Sequence, residues 1–148
     1  MLYLNLEAHG VRFILPAAKV DSVIAVARIS PVEGGGRELV GVMTRSMKKT
    51  VIPVIDLGIV IADKASAETL GTRIVVTEVT VGAGLRVLVG IKAEGIVNLS
   101  KELEPVQADK PGTTFLRDRE GVIYSVLDLG SLLSEKTLRF LVTEFSHG

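Results

Sequence analysis

The chain has 148 residues, with 17 basic and 17 acidic side chains and no cysteine. A balanced charge argues against a general binder of nucleic acid or anionic membranes, which would carry a basic excess. The missing cysteines remove disulfides, thiolate metal sites and a thiol nucleophile. The length fits one domain, or two small intimate subdomains. Met1 to Glu7 has no basic start followed by an apolar run, so no secretion signal is read there. No apolar run approaches the ~18 residues that span a bilayer. The expectation is a soluble cytoplasmic protein without direct membrane insertion.

In chain order, Leu2, Leu4 and Leu6 alternate with other residues, His9-Gly10 makes a turn, and Val11 to Leu15 returns. This is a first hairpin, ended by Pro16. A third strand, bent, covers Val20 to Ile29. Pro31 and Gly34-Gly35-Gly36 then form a loop. A central hairpin follows: one strand from Leu39 to about Thr44, a basic turn with Arg45, Lys48 and Lys49, and a second strand from Val51 to Ile55. Val51-Ile52-Pro53-Val54-Ile55 does not alternate, so both of its faces should be covered. Pro53 cannot donate to a ladder, which predicts an edge strand or a bulge. An apolar edge needs cover from another part of the chain or from a partner.

Asp56 is placed to cap a helix of one or two turns at Leu57 to Ala62. Asp63 to Gly71, polar and Ala-rich, reads as a linker or short helix. Arg73 to Val79 and Leu85 to Val89 flank Gly82-Ala83-Gly84 as another hairpin, whose second arm runs on towards Leu99. Lys101 to Gly112 reads as a loop. Thr113 to Arg117 and Val122 to Leu127 form a last hairpin. Leu138, Leu141, Val142 and Phe145 follow helical spacing and predict a C-terminal helix at about 135–146 lying on the sheet.

Val51 to Gly58 echoes Ile123 to Gly130, each an apolar strand ended by Asp-Leu-Gly, at a shift of 128 − 56 = 72. Two similar β-barrels result, each closed by a short helix starting at its aspartate. Asp56 and Asp128 are read as matching N-caps, not as a catalytic carboxylate pair. His9 and His147 lack partners at ligand or triad spacing, so no metal site, catalytic group or cofactor is expected. Gly34-Gly35-Gly36 lacks the Gly-Lys-Ser/Thr ending of a phosphate cradle.

The central motif, Gly41-Val42 followed after a turn by Val51-Ile52-Pro53-Val54-Ile55-Asp56-Leu57, resembles that of CheW-type chemotaxis coupling proteins. Phe13 through Lys19-Val20, Val89 through Ile96, and Leu127-Asp128-Leu129 with Leu132-Leu133 resemble further family segments in the same order. The family's Asn-Leu-Arg-Gly turn is replaced by Thr44 to Lys49. The resemblance covers residues 2 to 134. It implies a mainly β fold of two SH3-like five-stranded β-barrel subdomains with short capping helices and a C-terminal helix, over one domain spanning 1–148. It implies no catalysis. The partners implied are the regulatory domain of a CheA-type histidine kinase and the cytoplasmic tip of a methyl-accepting receptor, with recruitment to membrane receptor arrays.

On that basis the expected kinase-docking residues are Leu39, Val40, Val42, Val51, Ile52, Pro53 and Val54. A handful of apolar side chains, at ~1.5–3 kcal/mol each when fully buried, can dominate an interface. The expected receptor-binding residues are Val20, Arg45, Lys48, Lys49 and Val89, with Arg45 the nearest counterpart of the family's receptor-contacting arginine. Two readings from other classes are a small barrel for single-stranded nucleic acid and a ligand-sensing barrel or cleft enzyme. The first lacks a basic groove with stacking aromatics. The second lacks a convergent polar constellation.

Overall fold

The computed structural model describes residues 1–25, 27–45, 50–82, 84–107 and 114–145. Its strands are β1 (Leu2–Ala8), β2 (Val11–Pro16), β3 (Val20–Ile24), β4 (Leu39–Arg45), β5 (Thr50–Asp56), β6 (Arg73–Val81), β7 (Leu85–Ala93), β8 (Gly95–Ser100), β9 (Glu104–Val106), β10 (Phe115–Arg117) and β11 (Ile123–Ser125). The helices are α1 (Leu57–Ala62), α2 (Leu129–Leu132) and α3 (Glu135–Phe145), with a 3-10 turn at Ala17–Lys19. The chain is mainly β, as its sequence predicts.

The strands form a five-stranded sheet, β3-β6-β7-β5-β4, and two three-stranded sheets, β2-β1-β8 and β11-β10-β9. A parallel bridge between Ile14 and Val126 joins the two smaller sheets. These two β subdomains are built from sheets whose ladders do not close into barrels. In the larger sheet, a bridge between Ser30 and Val42 and an ion pair between Arg45 and Asp21 span the open side.

Local chemistry accounts for the hairpins. His9 (φ 51°) and Gly10 (φ 77°) give the two left-handed residues of a tight turn, which matches the twist of β1 and β2. β6 and β7 pair over nine residues each, from Arg73 opposite Ala93 to Val81 opposite Leu85. Both faces of β6 are covered over its first half, Ile74 to Thr77. Val75, Val79 and Val81 enter a large core shared with β1, β2, α1, α2 and α3, whereas Ile74 and Val76 enter a smaller one with Met43, Ile52 and Val54.

Two expectations about strands are corrected. β5 is not an edge strand: it pairs with β4 on one side and runs parallel to β7 on the other, from Val54 opposite Gly90 to Asp56 opposite Lys92. Pro53 is tolerated because its pair across β4 is Val42, whose own N–H and C=O point away to Ser30 at 2.8 Å each. The donor that proline lacks therefore faces the β7 side, where pairing begins only at Val54. The segment after Lys101, read as a loop, carries the short strand β9. The C-terminal helix is described over Glu135–Phe145, and Ser146 of the expected range lies outside the described residues.

Candidate protein-docking surfaces

The apolar central hairpin divides into an inner and an outer set. Leu39, Ile52, Pro53 and Val54 are buried in this chain's own body. Val40 and Val42 are half-buried on β4, and Val51 is exposed towards the turn. Gly41 is what allows the next segment to lie against β4. It has φ +154°, and a Cβ there would collide with the Ser30 carbonyl oxygen and the Ile29 side chain.

That close approach places Ile29 against β4, and Ile29 also lines a groove of about 390 Å³ beside the start of β6 and the end of β7. Ala25, Ala27, Ile29, Leu70 and Ile74 give it an apolar lining, and Glu68, Arg73 and Lys92 stand at its side. Lys92 donates to Glu68 at 2.6 Å, which holds the glutamate below its ordinary range through the hydrogen bond and the lysine's charge. Leu70 is 98% exposed. A leucine held in water beside an apolar groove is a ready anchor for a partner. Sequence reading passed over both Leu70 and Ile29. The lone leucine in the polar linker from Asp63 to Gly71 was the signal.

A second groove, of about 740 Å³, runs beside β3, β6 and β7. Val20 and Leu88 line it together with Lys19, Asp21, Glu78, Thr80 and Arg86. It adjoins a cleft of about 170 Å³ between the two subdomains, which shares Lys19, Glu78 and Thr80 and reaches Asp128 and Gly130. Of the expected receptor residues, Val20 is half-buried at this groove. Val89 is fully buried in the core. Arg45 turns inward onto Asp21 at 2.8 Å. Lys48 and Lys49 lie outside the described residues.

The buried carboxylates anchor backbone. Asp56, 2% exposed, accepts from Gly58 N at 2.8 Å, from Ser66 N at 3.1 Å and from Ser66 Oγ at 2.6 Å. It caps α1, as expected. Asp128 does not match it: its side chain is exposed and makes no cap hydrogen bond, and only its carbonyl accepts, from Ser131. The reason is local. Ser66 returns over Asp56, and no equivalent segment among the described residues folds over Asp128.

Glu38 bonds Ser134 N at 2.8 Å and Thr137 Oγ1 at 2.7 Å. Burial pushes its carboxyl up, but the bonds from Thr137 and Ser134 together hold it below the usual value. In Asp118 burial likewise raises, and Val122 N–H, Lys101 and Tyr124 outweigh it. Glu94 is held low by the N–H groups of Ala67 and His9. His9 is drawn into a structural clasp, with Nδ1 3.3 Å from Glu94 and Nε2 2.8 Å from the Lys64 carbonyl. Among the described residues no three His, Asp or Glu side chains gather as metal ligands, and no helix is long and apolar enough to cross a membrane.

A two-part β body with open grooves on its flanks, and with carboxylates committed to capping and clasping backbone, defines a protein-docking module of the kind used in chemotaxis coupling. The chain belongs to the CheW-like domain family, whose model matches residues 2–137. Its fold is similar to that of the scaffolding protein TtCheW from Thermoanaerobacter tengcongensis. The two are 14% identical, with a TM-score of 0.70 over 92% of this chain and 94% of that one. No curated protein matches it in sequence.

Proposed function

We propose that the chain is a non-enzymatic adaptor that couples the cytoplasmic tip of a chemoreceptor to the regulatory domain of a CheA-type histidine kinase, on the cytoplasmic side of receptor arrays. Membership of the CheW-like family supports the class. The observation that carries the kinase site is the apolar groove between Ile29 and the start of β6, with Leu70 exposed at its rim. Val40, Val42 and Val51 offer further apolar surface along the hairpin. Leu39, Ile52, Pro53 and Val54 hold that hairpin from beneath, since they are buried. The receptor tip takes the groove at Val20 and Leu88. Lys19 and Arg86 there face Asp21 and Glu78, a mixed rim suited to orienting a charged helix. Arg45, the last residue of β4, stays in the receptor reading with Lys48 and Lys49, whereas Val89 lies buried in the core.

Leu70→Asp is the informative variant, because a side chain 98% exposed leaves the fold untouched when changed. Titration of the kinase regulatory domain into the full chain should show affinity falling about 30-fold, the ~2 kcal/mol of an interface hot spot. Ile29→Asp should act the same way, with circular dichroism confirming its fold. Wild-type affinity in a folded Leu70→Asp chain would remove this groove from the kinase interface.

A further inference from the structure

Arg45 ends β4 and reaches across the open side of the five-stranded sheet to Asp21 on β3, at the opposite edge of that sheet. Its side chain is 16% exposed and that of Asp21 39%. Among the described residues the contact is single: Nη1 donates to Asp21 Oδ2, while Arg45 Nε is buried and makes no hydrogen bond. A strut selected only for strength would pair the guanidinium bidentately and leave no buried donor without an acceptor. This one is held at one atom. Asp21 also takes the Ser22 hydroxyl at 3.2 Å and lines the groove of Val20. The other end of β4 carries Gly41 and Val42, against which Ser30 and Ile29 of the apolar groove are seated.

The pair thus ties Asp21 of the β3 groove to β4, the strand whose other end seats Ile29 of the apolar groove. Whatever displaces the Asp21 carboxylate leaves a largely buried guanidinium without its counter-ion. That charge will not stay where it is, and its strand moves with it. We propose that Asp21 is a positioning residue: its ion pair with Arg45 is the link by which occupancy of the β3 groove alters β4 and, through Ile29, the apolar groove. This rests on the adaptor reading and deepens it. It also reassigns Arg45 from a surface contact to the inner member of a relay.

Coupling of this kind is a ratio, the factor by which one partner changes affinity for the other. The test uses the full chain, the CheA-type kinase of the same genome and the signalling-tip fragment of its receptor. Kinase affinity is measured with and without the receptor fragment. The wild-type factor should be about fivefold or more, the lower end of allosteric coupling. Asp21→Asn should bring it to within about twofold of unity, and the charge-swapped chain carrying Asp21→Arg with Arg45→Asp should restore it. In the free chain, Asp21→Asn should speed amide exchange in β4.

An unchanged factor in Asp21→Asn overturns the link, as does unchanged exchange in β4. A folded swap that fails to restore the factor gives Arg45 to the receptor directly. A wild-type chain that binds both partners with a factor of one overturns the link alone. One that binds neither overturns the adaptor reading as well.

Discussion

Asp56 and Asp128 hold matching places in the sequence and do different work. Removing the Asp56 carboxylate leaves the buried donors of Gly58 and Ser66 without an acceptor. Asp56→Ala should therefore cost roughly 2–4 kcal/mol in urea unfolding, a lost cap plus unsatisfied buried groups. Asp128→Ala should stay within about 0.5 kcal/mol, as for an exposed side chain with no side-chain cap bond. Gly41→Ala should cost about 1–3 kcal/mol through its positive φ and the collision with Ser30, and should also weaken kinase binding by unseating Ile29. At this scale the sequence was half legible. An aspartate after an apolar strand signals a cap, but whether a serine ten residues on folds back over it does not show in the local pattern. Arg45 was visible as a cation in a turn, while Asp21 drew no notice, since its partner comes from a strand 24 positions away.

The elements were more legible than their neighbours. The hairpins announced themselves through apolar runs broken by glycine or, in the central one, by a basic turn, and α3 through its spacing of leucine, valine and phenylalanine. What did not show was which strand sits beside which. Parallel pairing of β5 with β7 leaves no trace in either segment alone, and so Pro53 pointed to an edge that the fold covers. The docking of α3 has a similar long-range cause: Glu38, at the entry to β4, accepts from Ser134 and Thr137 at the helix start. Its carboxyl lies below the usual 4.5 in the fold. A lowered carboxylate stabilises the fold above its unfolded value, and that contribution fades as pH falls through the folded one. The protection factors of the α3 amides, taken relative to intrinsic exchange at each pH, should thus fall as pH drops below 4.5 and stay flat from 5 to 7 on this account. Glu38→Gln should loosen α3 already at neutral pH, by about 1–2 kcal/mol. Protection factors that stay flat down to pH 3 in the wild type would contradict the role given to Glu38.

At the scale of the whole molecule, one large core is built from both subdomains: Leu4, Leu6 and Leu15 of the small sheet meet Val75, Val89 and Ile91 of the large one, with Leu141 of α3 fully buried between them. The two halves should unfold in a single transition by heat, and Leu141→Ala should lower its midpoint, at a cost of about 2–5 kcal/mol. A body so joined leaves its margins for partners, and the apolar opening between Ile29 and the start of β6 is where the adaptor account stands or falls. Hydrogen exchange of the full chain, with and without the CheA-type regulatory domain, tests it most directly. The account predicts protection in residues 27–30, 40–44 and 68–74. Protection confined to β8, β10 and α3, with those segments unchanged, would contradict it.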